Sequence, residues 1–572
     1  MQADAARGAL MTFELQPLKS HPSYPPASFR FQTVRLIFLF TIGVCCAVSA
    51  YADNIVDSPS KLDALSQLEP LWAKARPFRI EEDDLKRHVS FLASDTIEGR
   101  ESGSPGGRAA GAYIVDELRK YGLKPGAADN DFYQEFGNGY RNILAILPGV
   151  APASSEDAAV SSTRMNTEYI MIGAHYDHVG YGNSRNSLGP IGQIHNGADD
   201  NASGTALLLE LARELAKQPS NGRRSILFAF WDAEERGLVG SRHWVSNPTI
   251  SLDSVKFYFN YDMVGRLDEE TLEVYGVRTT FGQQQRIVRH NHDPSLRLKY
   301  NWDNKADSDH YPFYEKHIPY LMLHTGKHED YHRPSDDAPK LNYAGLCEIG
   351  ELSARLLWDE CHRPDAAMFR KEAKTETEST RQGIALRGAG LTHRLGMITH
   401  QNSYEDNSLF VKQVYQDSPA QKAGLRSGDV ILNFGDFPIS EVPFETLALK
   451  ADGPTALTFV RPPSTERNKI LIRPQGNPQL LGVGLYLDAA EPGSAIITRV
   501  RPESPAFYAE LEANDVIWAI EGTWPRTRDE FFKTLQMISL EEKHVHLIVE
   551  REGRLREIDV NLWPEIDRMQ GE

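Results

Sequence analysis

Cysteine, basic excess and long apolar stretches are all scarce in this chain. Four cysteines in 572 residues are too few for a disulfide-stapled fold. Cys347 and Cys361 fall in one helical pattern, residues 343–361, which separates them by about 21 Å along its axis. A bridge needs Cα atoms within about 7 Å, so neither a disulfide nor a thiolate metal site is expected there. Lys and Arg number 62 against 79 Asp and Glu, a formal charge of −17. That excludes the broad basic face of a general nucleic-acid binder. A mean hydropathy of −0.44 excludes a polytopic membrane protein. At roughly 100–200 residues per domain, the length calls for two to four domains.

One apolar run does occur. Residues 36–50 follow Arg30 and Arg35 and lead into the small-x-small site Ala50-Tyr51-Ala52. The run is shorter than the roughly twenty residues of a spanning helix, so residues 1–52 read as a signal peptide. An uncleaved N-terminal anchor is the alternative. The signal implies a secreted or periplasmic protein with no membrane span in its mature form.

Residues 83–122 read as helix, Gly-rich break and helix. Strand-like runs then recur at 142–146, 169–174, 225–231, 256–261 and 318–323, with helical stretches such as 205–217 and 282–290 between them. Continuous apolar strands alternating with helices predict an α/β fold whose mainly parallel sheet is flanked by helices. The Ala/Ser-rich residues 151–163 read as an exposed loop. Residues 53–365 are assigned to this domain and the polar residues 366–384 to a linker.

The strand ends carry the chemistry. One run leads into His175-Tyr-Asp177-His178 and another into Asp232-Ala-Glu234-Glu235. A third leads into Asp262, and the last precedes Tyr331-His332. Gly197-Ala-Asp199-Asp200-Asn precedes a helix. Sites in open parallel sheets form beyond the carboxyl ends of the strands, so these residues are expected along one rim. Imidazole and carboxylate without thiolate suit two divalent cations, zinc best, with manganese or cobalt able to substitute. Adjacent Glu234 and Glu235 point to different sides. One can therefore hold metal while the other handles the proton of an activated water, which is hydrolytic chemistry on an acyl bond. Asp177 can steady the imidazole of His175 or its neighbours. Asp199 reads as a helix cap, and His178 and His195 as loop or supporting residues.

This set resembles the di-zinc aminopeptidases, the family of secreted bacterial leucyl aminopeptidases and glutamate carboxypeptidase, over roughly residues 75–362. The resemblance implies two zinc ions, with His175 and Asp262 on one, Glu235 and His332 on the other, and Asp200 bridging. It makes Glu234 the general base, Asp177 a support for the histidine site and Tyr331 a partner of the tetrahedral intermediate. It also implies a cis peptide at Asp200–Asn201, a substrate-side loop at Ser308-Asp-His310, and peptides with a free N-terminus as substrates. The Gly- and Asn-rich residues 180–195 are expected to wall the cleft.

Beyond residue 384 the sequence repeats. Ser418-Pro-Ala, a helix and Gly428-Asp-Val-Ile return as Ser504-Pro-Ala, a helix and Asn514-Asp-Val-Ile, and Leu395-Gly396-Met397 returns as Leu481-Gly482-Val483. Two tandem β-rich modules follow, residues 385–474 and 475–566. They resemble PDZ domains of bacterial envelope proteases. That implies binding of protein C-termini or extended segments, with backbone N–H groups of the two Leu-Gly loops offered to a carboxylate. Glu510 and Asn514 replace Gly424 and Gly428 in the second copy. The other reading of the repeat is that one or both modules only pack on the α/β domain and shield its cleft. The alternatives are a di-zinc carboxypeptidase or amino-acid deacylase, a one-zinc glutaminyl-cyclase-like transferase, and a non-catalytic PDZ scaffold with a vestigial peptidase domain. No nucleic-acid partner is expected.

Overall fold

A computed structural model describes residues 78–150, 165, 167–291, 296–385, 393–401 and 409–564. The signal-like segment and the expected loop at 151–163 lie outside them. All described residues belong to one compact unit, Leu68–Glu572.

Nine strands build the main sheet: β1 (Lys124–Pro125), β2 (Tyr133–Phe136), β3 (Tyr140–Leu147), β4 (Tyr169–His175), β5 (Ser225–Trp231), β6 (Val255–Tyr261), β7 (Thr271–Tyr275), β8 (Arg297–Asn301) and β9 (Tyr320–His324). Their order is β1-β3-β5-β4-β6-β9-β7-β8, with β2 on the side of β3. The middle four, β5-β4-β6-β9, run parallel, as expected from their apolar runs. Every residue of β5 is buried because helices cover both faces. Helices Gly204–Ala216 and Tyr343–His362 pack on one face, and Val239–Ser246 with His310–Glu315 on the other. Leu207, Leu208, Leu209 and Leu211 are all inaccessible, and truncating such a leucine costs about 2–5 kcal/mol.

The flanks correct the mainly parallel sheet. β3 is antiparallel to β1, β2 and β5, and β7 to β9. β2 and β3 are joined by only three residues, a connection that permits nothing but an antiparallel hairpin. Among the described residues no helix is long and apolar enough to cross a membrane. Cys347 and Cys361 are unbridged.

The expected linker, residues 366–384, is exposed along much of its length yet anchored at a few points. Arg370 is buried there, bonding the Arg278 carbonyl and the Glu376 carboxylate, while Arg278 holds both Glu376 and Asp488. Buried guanidiniums shared between carboxylates make this stretch a strap fixed to the α/β unit.

Two antiparallel sheets follow. The first holds β10 (Met397–Gln401), β11 (Leu409–Val414), β12 (Val430–Phe434), β13 (Phe437–Pro438), β14 (Thr455–Val460) and β15 (Arg467–Ile472). The second holds β16 (Val483–Tyr486), β17 (Ala495–Val500), β18 (Val516–Ile520), β19 (His544–Arg551) and β20 (Arg554–Asn561). Each has its own core, and the repeat is visible in detail. Ser418 Oγ accepts from Gln421 N and Ser504 Oγ from Phe507 N, each capping a one-turn helix.

Candidate metal centre

Strand register assembles the centre. β4 and β5 align His175 with Trp231, which sets His175 beside the Asp232–Glu235 loop. β4 and β6 align Gly173 with Asn260, so two residues later His175 meets Asp262. His175 Nε2 lies 3.3 Å from Asp262 Oδ1 and 3.4 Å from Asp200 Oδ1. The other oxygen of Asp200 turns the opposite way: His332 Nε2 is 3.0 Å from Asp200 Oδ2 and 3.2 Å from Glu235 Oε2. Two donor groups thus share one carboxylate. The peptide between Asp200 and Asn201 is cis.

These atoms fit a pair of zinc ions. Donors bound at 2.0–2.1 Å around a tetrahedral ion sit about 3.3 Å apart, close to the spacings seen. Both imidazoles are turned for the task. Nδ1 of His175 faces the Asp177 carbonyl at 3.2 Å and Nδ1 of His332 faces the Asn186 carbonyl at 2.8 Å, which leaves each Nε2 to the centre.

Without cations the group balances charge internally. Burial disfavours charge on His175, yet Asp262 and Glu234 hold its pKa well above the ordinary value. Asp200 is pushed well below the usual carboxylate range by His175 and His332, against its burial. Glu235 falls to about 2, its burial outweighed chiefly by bonds to His178 and His332. Glu234 goes the other way: burial raises it strongly, and His175 only partly offsets this. Imidazolium protons held by carboxylates are what a divalent cation would displace.

All five expected ligands converge, and the surroundings amend several other expectations. The Asp177 carboxylate supports His175 and more: its Oδ1 lies 3.7 Å from His175 Nδ1. The same Oδ1 accepts from Glu234 N at 3.1 Å and Oδ2 from Ser102 Oγ at 2.8 Å, so the carboxylate also braces the backbone at Glu234. Asp199 is no solvated cap: it is buried, accepting from Gly265 N and facing His328. His178 takes the expected supporting place, with Nδ1 2.8 Å from Glu235 Oε1 and 3.9 Å from Asp200 Oδ2, near enough that these three could themselves hold an ion. Ser308, Asp309 and His310, expected as a substrate-side loop, are buried, with Ser308 Oγ accepting from Asn260 Nδ2 at 2.8 Å. Burial lifts the Asp309 carboxyl to about 7 and lowers the His310 imidazole to about 4. Residues 180–195 do reach the centre, since Leu188 N bonds the His332 carbonyl. His195 stays within that loop, bonded to Ser187 and Gln193.

Sequence reasoning missed Arg100. Its buried guanidinium donates to the carbonyls of Tyr176, Leu92, Gly197 and Asp200 at 2.6–3.1 Å, and to that of Asn196. Burial lowers its pKa to about 10, so it remains a cation among the acids and ties three loops of the centre together. The available signal was a lone basic residue inside the Gly/Ser break of an otherwise acidic rim. Asp336 was missed likewise; it accepts from the backbones of Asp199 and Asp200 and pairs with Arg266.

The Leu-Gly loops differ from expectation. In the first module Leu395 N and Gly396 N both point at His393 Nδ1, at 3.1 and 3.2 Å. These donors already have a partner within the chain. In the second, Gly482 and its neighbours lie against the first module, where Gln479 N bonds the Leu449 carbonyl.

Residues 158–357 match the model of peptidase family M28. The chain is similar to an aminopeptidase, YwaD, of Bacillus subtilis, 30% identical over 34% of this chain and 41% of that one. It is also similar to leupeptin-inactivating enzyme 1 of Streptomyces exfoliatus, 27% identical over 51% of this chain and 60% of that one. It therefore spans about half the length of these relatives. Among solved structures, the LapA aminopeptidase of Legionella pneumophila is 19% identical, with 54% of this chain and 77% of that one covered at a TM-score of 0.41.

Proposed function

We propose that this protein is a zinc-dependent aminopeptidase that holds two zinc ions and removes N-terminal residues from peptides. One observation carries the reading: Asp200 turns one oxygen toward His175 and Asp262 and the other toward His332 and Glu235. His175 and Asp262 would hold one ion, Glu235 and His332 the other, and Asp200 both. Cations held there supply Lewis acidity toward a substrate carbonyl and bring a water's pKa down toward about 7.

The chain's own groups do the rest. Glu234, whose backbone is fixed by Asp177, takes the proton of the attacking water and passes it to the leaving amine. Burial, with Asp200 and Glu235 nearby, raises the Tyr331 pKa, which keeps its phenol protonated as a donor to the developing oxyanion. Its ring is set by stacking on His332 at 4.0 Å, with Lys327 Nζ over it at 4.3 Å. The acid-rich centre favours a free ammonium group at the substrate's end. The signal-like segment supports secretion or a periplasmic location. The modules would bind extended protein segments. β10 lies at the edge of its sheet, where strand addition would occur, a mode supported better in the first module than carboxylate capture, since His393 already occupies its loop donors.

The test is turnover of aminoacyl amides by the zinc-loaded protein. Glu234→Gln should lower kcat about a thousandfold with two zinc ions still bound per chain, and N-acetylated substrates should not be cleaved. Unchanged turnover in E234Q, or equal cleavage of blocked substrates, overturns the reading.

A further inference from the structure

The second module does not hang from the α/β unit; it is built into it. Gly282 N bonds the Ala490 carbonyl at 2.7 Å and Leu298 N the Gly553 carbonyl at 2.9 Å. Glu491 accepts from Gln284 N and Gln285 N at the start of helix Gln283–His290. At Gly553 a Cβ would stand 2.2 Å from the Leu298 carbonyl oxygen, so only glycine allows the approach. Between β8 and the sheet face made by β17, β18 and β19, the two surfaces nevertheless part. They leave between them a half-open cavity of about 680 Å³, a volume typical of small-molecule sites and far above packing defects.

Its walls are unfinished in a particular way. Tyr300, Trp302 and Trp518 give it aromatic sides. Tyr300 is 8% exposed and Trp302 4%, yet the Tyr300 hydroxyl and the Trp302 indole N–H have no hydrogen-bond partner. The same holds for Arg297 Nε, also in the wall. Buried donors of this kind normally find acceptors. Glu550 faces the same space. Its Oε2 accepts from Trp518 Nε1 at 2.9 Å, no cation pairs with it among the described residues, and burial pushes its carboxyl up to about 7. Asp488 and Glu491 also line the space but are held by Arg278 and by Gln284 N and Gln285 N. Glu550, whose burial the nearby Arg381 offsets only in part, is the carboxyl left among aromatic rings to take an ammonium group. Unpartnered O–H, N–H and guanidinium donors ask for a carboxylate.

We propose that this cavity binds a free α-amino acid in its zwitterionic form, with the ammonium on Glu550 and the carboxylate on Tyr300, Trp302 and Arg297. The inference goes beyond the proposed hydrolysis, of which a free amino acid would be a product. It does not depend on the metal centre.

Calorimetric titration of the zinc-loaded full chain with L-leucine tests it, since an apolar side chain suits the aromatic walls. A saturable leucine site is expected, weakened at least tenfold in Glu550→Gln and in Tyr300→Phe. N-acetyl-leucine and leucinamide should bind at least tenfold more weakly than leucine. E550Q keeps an acceptor for Trp518, and Y300F removes a hydroxyl with no partner, so melting temperatures should stay level or rise. Absence of saturable binding, or affinities within twofold of wild type in both variants, overturns the proposal. So do blocked analogues that bind as well as leucine. Failure of the hydrolytic reading appears elsewhere, as absent turnover by the wild type.

Discussion

In the first C-terminal module the outward face of the sheet carries Phe410, Val430 and Leu432, with Phe410 42% exposed. In the second the matching positions hold Ile496, Val516 and Trp518, packed against the α/β unit, with Trp518 1% exposed. Inside, the two modules solve the same problem identically. Asp429 and Asp515 are buried, each accepting from a turn N–H and pairing with an arginine, Arg461 and Arg551. A repeated fold can thus keep its interior and assign its outer face anew. One copy has become part of the α/β unit's body, while the other keeps an open face.

The sharpest way to break this contrast is to truncate the matched pair Trp518 and Leu432. Trp518→Ala removes a buried side chain and strands Glu550, and should cost about 3–5 kcal/mol. Leu432→Ala, at a half-buried position, should cost about 1 kcal/mol. Denaturant unfolding of the full chain measures both. Equal costs would mean that the second module is not integral to the α/β unit.

The sequence made the internal repeat legible, and packing on the α/β domain conceivable, but not which copy packs there. Motif positions such as Ser418, Ser504, Asp429 and Asp515 are dictated by turn chemistry within about fifteen residues, so a sequence displays them. Which outer face docks depends on β7 and β8, short half-buried strands with charged Glu273, Arg297 and Lys299 that carried no apolar run to notice. The candidate metal centre was more legible because each expected ligand follows a strand or opens a helix, where sequence position nearly fixes spatial position. What stayed hidden there was held by long-range bonds to backbone carbonyls. Arg100 is the clearest case, since its partners lie up to 100 residues away.

A second test sharpens the comparison through pH. Val516 faces Glu550 across the second sheet, where Val430 faces Val460 in the first. Burial raises Glu550 to about 7, against an ordinary value of about 4.3. The folded state then keeps a proton that the unfolded chain releases, so stability falls as pH rises from about 4.5 to 7. The loss approaches about 3 kcal/mol for this group. Glu550→Gln removes the effect, so unfolding curves at pH 5 and pH 8 should show E550Q gaining on wild type by that order. Substitution at Val460 should show no such crossing. A wild-type minus E550Q difference that is flat with pH would place Glu550 in water instead of against the α/β unit.

The smallest effect concerns the two turns that precede the buried aspartates. Gly424 sits at φ 90° and Gly428 at φ 95°; their counterparts Glu510 and Asn514 adopt φ 55° and 79° without glycine's freedom. Arginine enforces the conformation in both copies, Arg461 bonding the Gly424 carbonyl and Arg551 the Glu510 carbonyl. Left-handed backbone costs a residue with Cβ about 1–2 kcal/mol, partly offset because glycine loses more chain entropy on folding, about 0.5–1 kcal/mol. Glu510→Gly should therefore stabilise the second module by about 0.5–1 kcal/mol. Gly424→Ala, where an added Cβ meets nothing within 4 Å, should destabilise the first by a similar amount through backbone strain alone. Asn514→Gly should change little, since asparagine tolerates this region. If E510G instead loses stability, the Glu510 side chain contributes more to the second module than its backbone strain takes away, and the two turns are not equivalent.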